Sequence, residues 1–558
     1  MNKLYDLFPF GHIRPAQKNI LDKIEPFLHD EQIRYIVIEA GTGVGKSAIA
    51  KTLSAYYKKS YLLTSTKSLQ EQYKNEFYNE SVKVVKGKSN YYCNVDGDAT
   101  CDIGPCKKDK GLKGKCLETE NCPYYSALKI AENSEMFVCN YAYFLSMPNL
   151  NARNVIIVDE CHLLDDKLIE LAKFKIDMDK INKKYNLINE KSEFIDVVKW
   201  KKKFTTGDSQ NNINTLNIII EMLSKKMEAN KSEMIRYWQL SEFKDRMTPD
   251  ELNEFEKIDI VGLDKENNEI MSFAKRIQKY IDTCDNGNWV TTIKEDGRGF
   301  YAVPIFSKEL FEKYIGKKAN KKVIFMSATI FGKDNFCEEL GLDPGRTLYI
   351  HEESTFDPKR SPIVVNPCLS FKQGEYDKTI ASAGEIVKTI TNSFRRNKGI
   401  IHTGNYKVAN FLTENIPSKR YIYRKTNENN EDLLMTHAVT GRKTILVSPS
   451  MMSGVDLKDD YSRFQIIMKL PYPNLQNPRM AYISKHNFKM YAIRMLREFI
   501  QACGRSTRSE KDWSVTYVLD KSFINIYKQF KKLMPYSVSR MIDYDKFKLQ
   551  EYVNYIKK

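Results

Sequence analysis

The sequence predicts an α/β protein of several domains, and three observations carry that expectation. The apolar run Tyr35-Ile36-Val37-Ile38 passes through a glycine-rich stretch, Ala40-Gly41-Thr42-Gly43-Val44-Gly45-Lys46-Ser47, into the helix-forming Ala48-Ile49-Ala50-Lys51-Thr52-Leu53. Short apolar strands alternating with helical stretches recur in both halves, among them Val155-Ile156-Ile157-Val158, Val323-Ile324-Phe325-Met326 and Gly399-Ile400-Ile401-His402. A chain of 558 residues exceeds what one hydrophobic core organises, so three or four domains are expected.

The glycine-rich stretch comes first in the argument. Glycines let backbone N–H groups converge on phosphate oxygens, and a helix N-terminus adds positive potential. Gly41, Thr42, Gly43, Val44 and Gly45 would form that cradle. Lys46 would reach the β- and γ-phosphates of ATP, and Ser47 would ligate Mg²⁺. Ala40 stands where the usual G-x-x-x-x-G-K-[ST] pattern begins with glycine. Upstream lies Arg14-Pro15-Ala16-Gln17. A glutamine amide can pair with an adenine edge, although the start of a surface helix accounts for the same residues.

Ser60-Tyr61-Leu62-Leu63-Thr64-Ser65-Thr66 reads as a strand ending in hydroxyls, followed by a helix with Gln70 and Gln72. Such groups suit phosphate contacts on a nucleic-acid strand; an N-cap at Thr66 or Ser68 is the plainer reading, and both can hold. Five of the 11 cysteines follow, at 93, 101, 106, 116 and 122, with lysines 107, 108, 110, 113 and 115 among them. No C-x₂-C knuckle of a structural zinc site is present. The wide spacings better suit a four-thiolate iron–sulfur cluster, and five candidates compete for four positions.

Val155-Ile156-Ile157-Val158 ends in Asp159-Glu160-Cys161-His162. Two carboxylates at a strand's C-terminal edge lie where open α/β sheets bind ligands. Asp159 would hold Mg²⁺ and Glu160 would deprotonate the attacking water. From Asp165 to about Asp285 the apolar periodicity is helical, as in Leu216, Ile219, Ile220, Leu223 and Met227, which predicts an inserted helical domain. Trp289-Val290-Thr291-Thr292-Ile293 and Phe300-Tyr301-Ala302-Val303-Pro304 are expected as strands returning to the first core. Ser327-Ala328-Thr329 closes a further strand with hydroxyls able to bond a neighbouring carboxylate, with helix capping the alternative.

A second α/β region starts near His351 and has no glycine-rich phosphate loop of its own. It carries Gln501-Ala502-Cys503-Gly504-Arg505-Ser506-Thr507-Arg508. Arg494, Arg497, Gln501, Arg505 and Arg508 share one helical face, with Ile493, Leu496, Phe499 and Ile500 mostly on the other. Arg505 and Arg508 together call for an anion, and a γ-phosphate held by the first core would supply it. Gly504 is expected where two elements approach closely.

Composition narrows the class. A hydrophobic share of 42% marks a globular chain, and a net charge of +17 favours a polyanionic partner such as nucleic acid, though a basic surface alone would give the same number. Residues 1–30 hold no apolar leader, and no run approaches a membrane span. A cytoplasmic protein with thiols or metal ligands in place of disulfides is expected.

Taken in order, Glu39 to Ser47, Asp159-Glu160-Cys161-His162, Ser327-Ala328-Thr329, Gly454-Val455-Asp456-Leu457 and Gln501 to Arg508 resemble the motif series of superfamily-two helicases. The cysteine cluster, introduced by Lys86-Gly87-Lys88-Ser89-Asn90-Tyr91, resembles that of the DinG/XPD-like iron–sulfur branch. The resemblance implies two RecA-like motor domains with an inserted iron–sulfur domain and an inserted helical arch domain. Its boundaries would be motor domain 1 at 1–87, 136–165 and 286–350, the cluster domain at 88–135, the arch at 166–285 and motor domain 2 at 351–558. It further implies ATP, Mg²⁺ and a [4Fe-4S] cluster, 5′→3′ movement on single-stranded DNA, action on forked DNA, and a monomeric motor. By position, Arg14 and Gln17 resemble the adenine-side residues, Asp456 a residue at the ribose and domain interface, and Gln501, Arg505 and Arg508 the γ-phosphate sensors. Cys93, Cys106, Cys116 and Cys122 resemble the cluster ligands, leaving Cys101 spare. Cys161 departs from the family's commoner alanine. The competing reading is an ATP-switched nucleic-acid-binding protein with a structural metal and no unwinding activity.

Overall fold

The computed structural model describes residues 3–77, 81–108, 112, 114, 116, 122–147, 149–423, 430–449, 459–504 and 512–543. The first five strands are β1 (Tyr35–Ala40), β2 (Ser60–Thr64), β3 (Val82–Val84), β4 (Met136–Asn140) and β5 (Arg153–Asp159). Then come β6 (Phe174–Asp177), β7 (Trp289–Ile293), β8 (Gly299–Pro304), β9 (Ala319–Ser327) and β10 (Thr347–Glu352). The second half supplies β11 (Ile363–Leu369), β12 (Gly399–His402), β13 (Tyr421–Tyr423), β14 (Ile445–Ser448), β15 (Phe464–Ile467), β16 (Val515–Asp520) and β17 (Ile542–Asp543).

These strands build two seven-stranded parallel sheets, ordered β10-β1-β9-β5-β2-β4-β3 and β13-β14-β12-β15-β16-β11-β17. Strands in such sheets are covered on both faces, which is why they read as unbroken apolar runs. Alternate residues go to opposite cores: Val37, Leu63 and Val158 to one, Ile38, Leu62 and Ile157 to the other. In the second sheet Ile466 and Tyr517 take one face while Ile467 and Val518 take the other.

Residues 289–304 are strands that return to the first core, where Val303 is buried and Trp289, Val290 and Tyr301 pack against it, but they do not pair with its sheet. β7 and β8 pair antiparallel with each other, and β8 pairs with β6, giving a separate three-stranded sheet β6-β8-β7. Alternation identifies a strand without identifying its partner. This sheet packs through Phe174, Ile176, Phe300 and Ala302 against the long helices Ser209–Ser241 and Ile260–Thr283. Leu216, Ile219 and Leu223 are buried there as their spacing predicted. The preceding helix, Leu164–Ala172, belongs by packing to the first core, where Leu164, Leu168, Ile169 and Ala172 are buried.

Candidate functional site

The C-terminal ends of β1, β5 and β9 are neighbours in the first sheet, so the glycine loop, Asp159-Glu160 and Ser327-Ala328-Thr329 converge by topology. Gly43 and Gly45 take φ of 88° and 85°, which a side chain would strain. The loop is also packed from outside. A Cβ on Gly41 would lie 2.4 Å from the Ser354 backbone nitrogen, and one on Gly45 2.4 Å from the Gln17 amide. Arg14 donates to the Gly43 carbonyl at 2.8 Å, and Gln17 to that of Gly45 at 3.4 Å. The helix-start expectation holds for this pair. Arg14 and Gln17 form a capping box on the helix Pro15–Ile24, and they line a cavity of about 420 Å³ beside Gly45 and Ser47. Lys46 Nζ donates to the Ala40 carbonyl at 3.0 Å, and Ser47 Oγ to Glu76 at 3.0 Å.

Asp159 is buried at the end of β5, where Tyr73 donates its hydroxyl to it at 3.1 Å. Burial and then the neighbouring Glu160 charge push its carboxyl up to about 7, against the pull of Lys46 and Tyr73. Glu160 adopts φ 54°, a left-handed conformation that costs about 1 kcal/mol or more for a side-chain-bearing residue.

His162 is the centre of the arrangement. It is buried, and burial lowers its imidazole to about 4, so it is neutral. Its Nε2 accepts from the Gln501 amide at 2.6 Å, which leaves Nδ1–H to face Ser327 Oγ at 2.8 Å and Glu160 at 3.4 Å. Gln501 also reaches Thr329 Oγ1 at 3.4 Å. The hydroxyls of Ser327 and Thr329 therefore serve a histidine and a glutamine, where a carboxylate had been expected. Gly504 ends its helix, and its Cβ position meets nothing nearer than Thr42 Oγ1 at 3.9 Å, so no tight approach explains it. Arg494 and Arg497 are buried and paired with carboxylates. Asp456, Arg505 and Arg508 lie outside the described residues.

Glu39 opens the glycine-loop motif. It is 3% exposed, accepts backbone N–H bonds from Ile330 and Phe331 at 2.7 and 2.8 Å, and bonds the Tyr349 hydroxyl. It thereby ties the entry of the glycine loop to the segment after Thr329. Gln70, expected near a nucleic-acid strand, is buried and donates to the Val85 carbonyl; Thr66 is the N-cap of the helix Lys67–Glu76.

The cysteine region packs onto the first core through Cys93, Cys101 and Tyr124. Burial raises the Cys116 thiol, and then Cys106, Cys122 and Cys93 raise it further; burial and then Cys93 and Cys122 act likewise on Cys106. Cys101 lies 3.9 Å from Cys122, sulfur to sulfur. Among the described residues no group of three or more His, Cys, Asp or Glu side chains is arranged to hold a metal ion. Of the tyrosines there, Tyr124 is 2% exposed and bonds Tyr143, whereas Tyr92 is 68% exposed.

The family described as type III restriction enzyme, res subunit, matches residues 11–196, and that described as helicase C-terminal domain matches residues 394–540. A probable ATP-dependent helicase of Methanocaldococcus jannaschii is 23% identical, over 92% of this chain and 92% of its own length. The ATP-dependent DNA helicase CHL1 of Vanderwaltozyma polyspora is 20% identical, over 92% of this chain and 67% of its own. The two domain matches and the helicase relatives together support an XPD/DinG-like superfamily-two helicase. A solved XPD helicase superposes with a TM-score of 0.62 at 16% identity, covering 94% of this chain and 99% of that one. The S. tokodaii Xpd4 structure gives 0.56 at 14% identity, covering 95% and 99%. That likeness shows the fold: the two parallel sheets of this helicase are its RecA-like domains, and the family implies ATP and Mg²⁺. No helix among the described residues is long and apolar enough to cross a membrane.

Proposed function

We propose that this helicase is an ATP-driven DNA motor, acting as a monomer, that moves 5′ to 3′ along single-stranded DNA and opens the duplex ahead of it. One observation carries the reading. Lys46 and the Asp159-Glu160 pair converge in one RecA-like domain, and Gln501 of the other reaches His162 at 2.6 Å.

ATP would lie over the glycine loop with its base towards Arg14 and Gln17. Lys46 would exchange the Ala40 carbonyl for phosphate oxygens, and Ser47 and Asp159 would hold Mg²⁺, which neutralises phosphate charge when bound. Glu160 would orient the attacking water and take its proton. Neutral His162, held between Ser327 and Gln501, would keep Glu160 in place and report its state to the second domain. Arg505 and Arg508 would meet the γ-phosphate from that domain, and Asp456 would lie at the domain interface.

The DNA path is supported by a cavity of about 1060 Å³ between the cysteine region and the helical insertion, lined by the basic Lys107, Lys175, Lys180, Lys184, Lys265 and Arg276 against the acidic Asp102, Asp177, Asp264 and Glu269. Lys107 bridges the two insertions by pairing with Asp264 at 3.1 Å. Phosphate contacts of this kind supply grip without sequence preference. Cys93, Cys106, Cys116 and Cys122 would hold the iron–sulfur cluster. The support is that burial and then the neighbouring cysteines raise the Cys106 and Cys116 thiols, so the four lie within one another's influence, and four thiolates are the usual donors of such a cluster. The cluster would supply a rigid cross-link of the insertion.

The test uses two partial duplexes that differ only in the polarity of the single-stranded tail. Preferential opening of the 5′-tailed substrate is expected. Preferential opening of the 3′-tailed one would contradict the polarity, and ATP hydrolysis with neither opened would contradict unwinding altogether.

A further inference from the structure

Buried ions cross the boundary between the two RecA-like domains. Arg494 donates to Asp165, and reaches Asp166 and Glu339 at 2.8 Å each. Arg497 pairs with both oxygens of Glu339, at 2.9 and 2.7 Å, and donates to the Ile330 carbonyl at 3.3 Å. Arg479 adds bonds to Asp165 at 2.7 Å and Asp166 at 3.1 Å. Asp165 and Glu339 are 2% and 4% exposed, and Arg494 and Arg497 are 8% and 4% exposed. Charges this deep keep their geometry, because withdrawing one partner strands the other without water.

Their placement ties them to the site. Arg494, Arg497 and Gln501 lie at i, i+3 and i+7 on the helix Phe488–Gly504, on one face. His162 sits in the short turn Cys161–Leu163, which runs directly into the helix whose first turn holds Asp165. Glu339 is on the helix Lys333–Leu340, just after the segment bonded by Glu39. The Arg494–Asp165 pair and the Gln501–His162 contact therefore join the same helix to the same turn-and-helix segment, while Glu339 anchors that helix to a third element.

We propose that Arg494 and Arg497 are positioning residues for ATP hydrolysis. They clamp their helix onto Asp165 and Glu339 and so set Gln501 against His162, one residue removed from Cys161 and two from the water-activating Glu160. Neither arginine touches the substrate. The inference rests on the proposed ATP hydrolysis at the glycine loop.

The test compares the full-length protein with Arg494→Met and with the paired variant Glu339→Met/Arg497→Met, which removes both charges of one pair and keeps their volume. With single-stranded DNA present, kcat for ATP should fall roughly tenfold or more while KM for ATP stays within about twofold. Adding Gln501→Ala to the paired variant should cause no further loss, because the residues act in series. An unchanged kcat, or losses that multiply, would overturn the inference. Should Arg494→Met fail to fold, the paired variant decides. A crystal structure of that variant gives a readout independent of hydrolysis: the Gln501–His162 separation should exceed about 3.5 Å, and a retained contact overturns the clamp. Wild-type protein without ATP hydrolysis would defeat the proposed function instead, with the structural readout still deciding the clamp.

Discussion

The amide of Gln501 lies 2.6 Å from Nε2 of His162, so a residue of the second RecA-like domain bonds the side chain that flanks Glu160 in the first. A neutral imidazole is needed for this, since an imidazolium has no acceptor nitrogen. Burial guarantees neutrality by holding His162 down to about 4.

Replacing Gln501 by Ala should therefore lower kcat for ATP hydrolysis roughly ten- to a hundredfold, with KM for ATP little changed. His162→Ala should behave alike. Steady-state kinetics over an ATP series checks both, and a loss confined to KM would assign the pair to nucleotide binding.

With Asp159 holding Mg²⁺ as proposed, Mg²⁺ binding should be pH-dependent near neutrality. The Asp159 carboxyl is pushed up to about 7, first by burial and then by Glu160. The proton is held below that value, so Mg²⁺ affinity should be full above pH 7 and fall as pH drops through it, by about tenfold per unit well below the midpoint. Glu160→Gln removes one cause and should move the midpoint to lower pH. Calorimetric titration of Mg²⁺ in the absence of nucleotide at pH 8, 7 and 6 measures the shift. An affinity flat across that range would contradict the account of Asp159.

For the thiols, substituting Ser for Cys93, Cys106, Cys116 or Cys122 should lose protein-bound iron, while Cys101→Ser should keep it. Iron content and the visible spectrum of the purified variants check this. Loss of iron from Cys101→Ser with retention in Cys106→Ser would move Cys101, already 3.9 Å from Cys122, into the ligand set.

What the sequence made legible was local. A strand running into a glycine loop, a strand ending in Asp159-Glu160 and the helical spacing of Leu216, Ile219 and Leu223 each depend on neighbours in the chain. Partners far along the chain were not legible. Nothing near Glu39 announces Ile330 and Phe331, and nothing near Arg494 announces Asp165. Residues 289–304 read correctly as strands returning to the first core, but alternation alone did not reveal that they pair in a separate sheet with β6. Tyr92 and Tyr124 look equivalent in sequence, yet Tyr92 is 68% exposed and Tyr124 2% exposed. Exposure is a property of the whole packing, and of these two only Tyr92 is open to solvent.

The most direct measurement is ATP hydrolysis by the full-length protein with and without single-stranded DNA, alongside Lys46→Ala and Glu160→Gln. The account predicts stimulation by DNA in the wild type, loss of hydrolysis in both variants, and retained ATP binding in Glu160→Gln, whose amide cannot take the proton from water. Near-normal hydrolysis by either variant would contradict it.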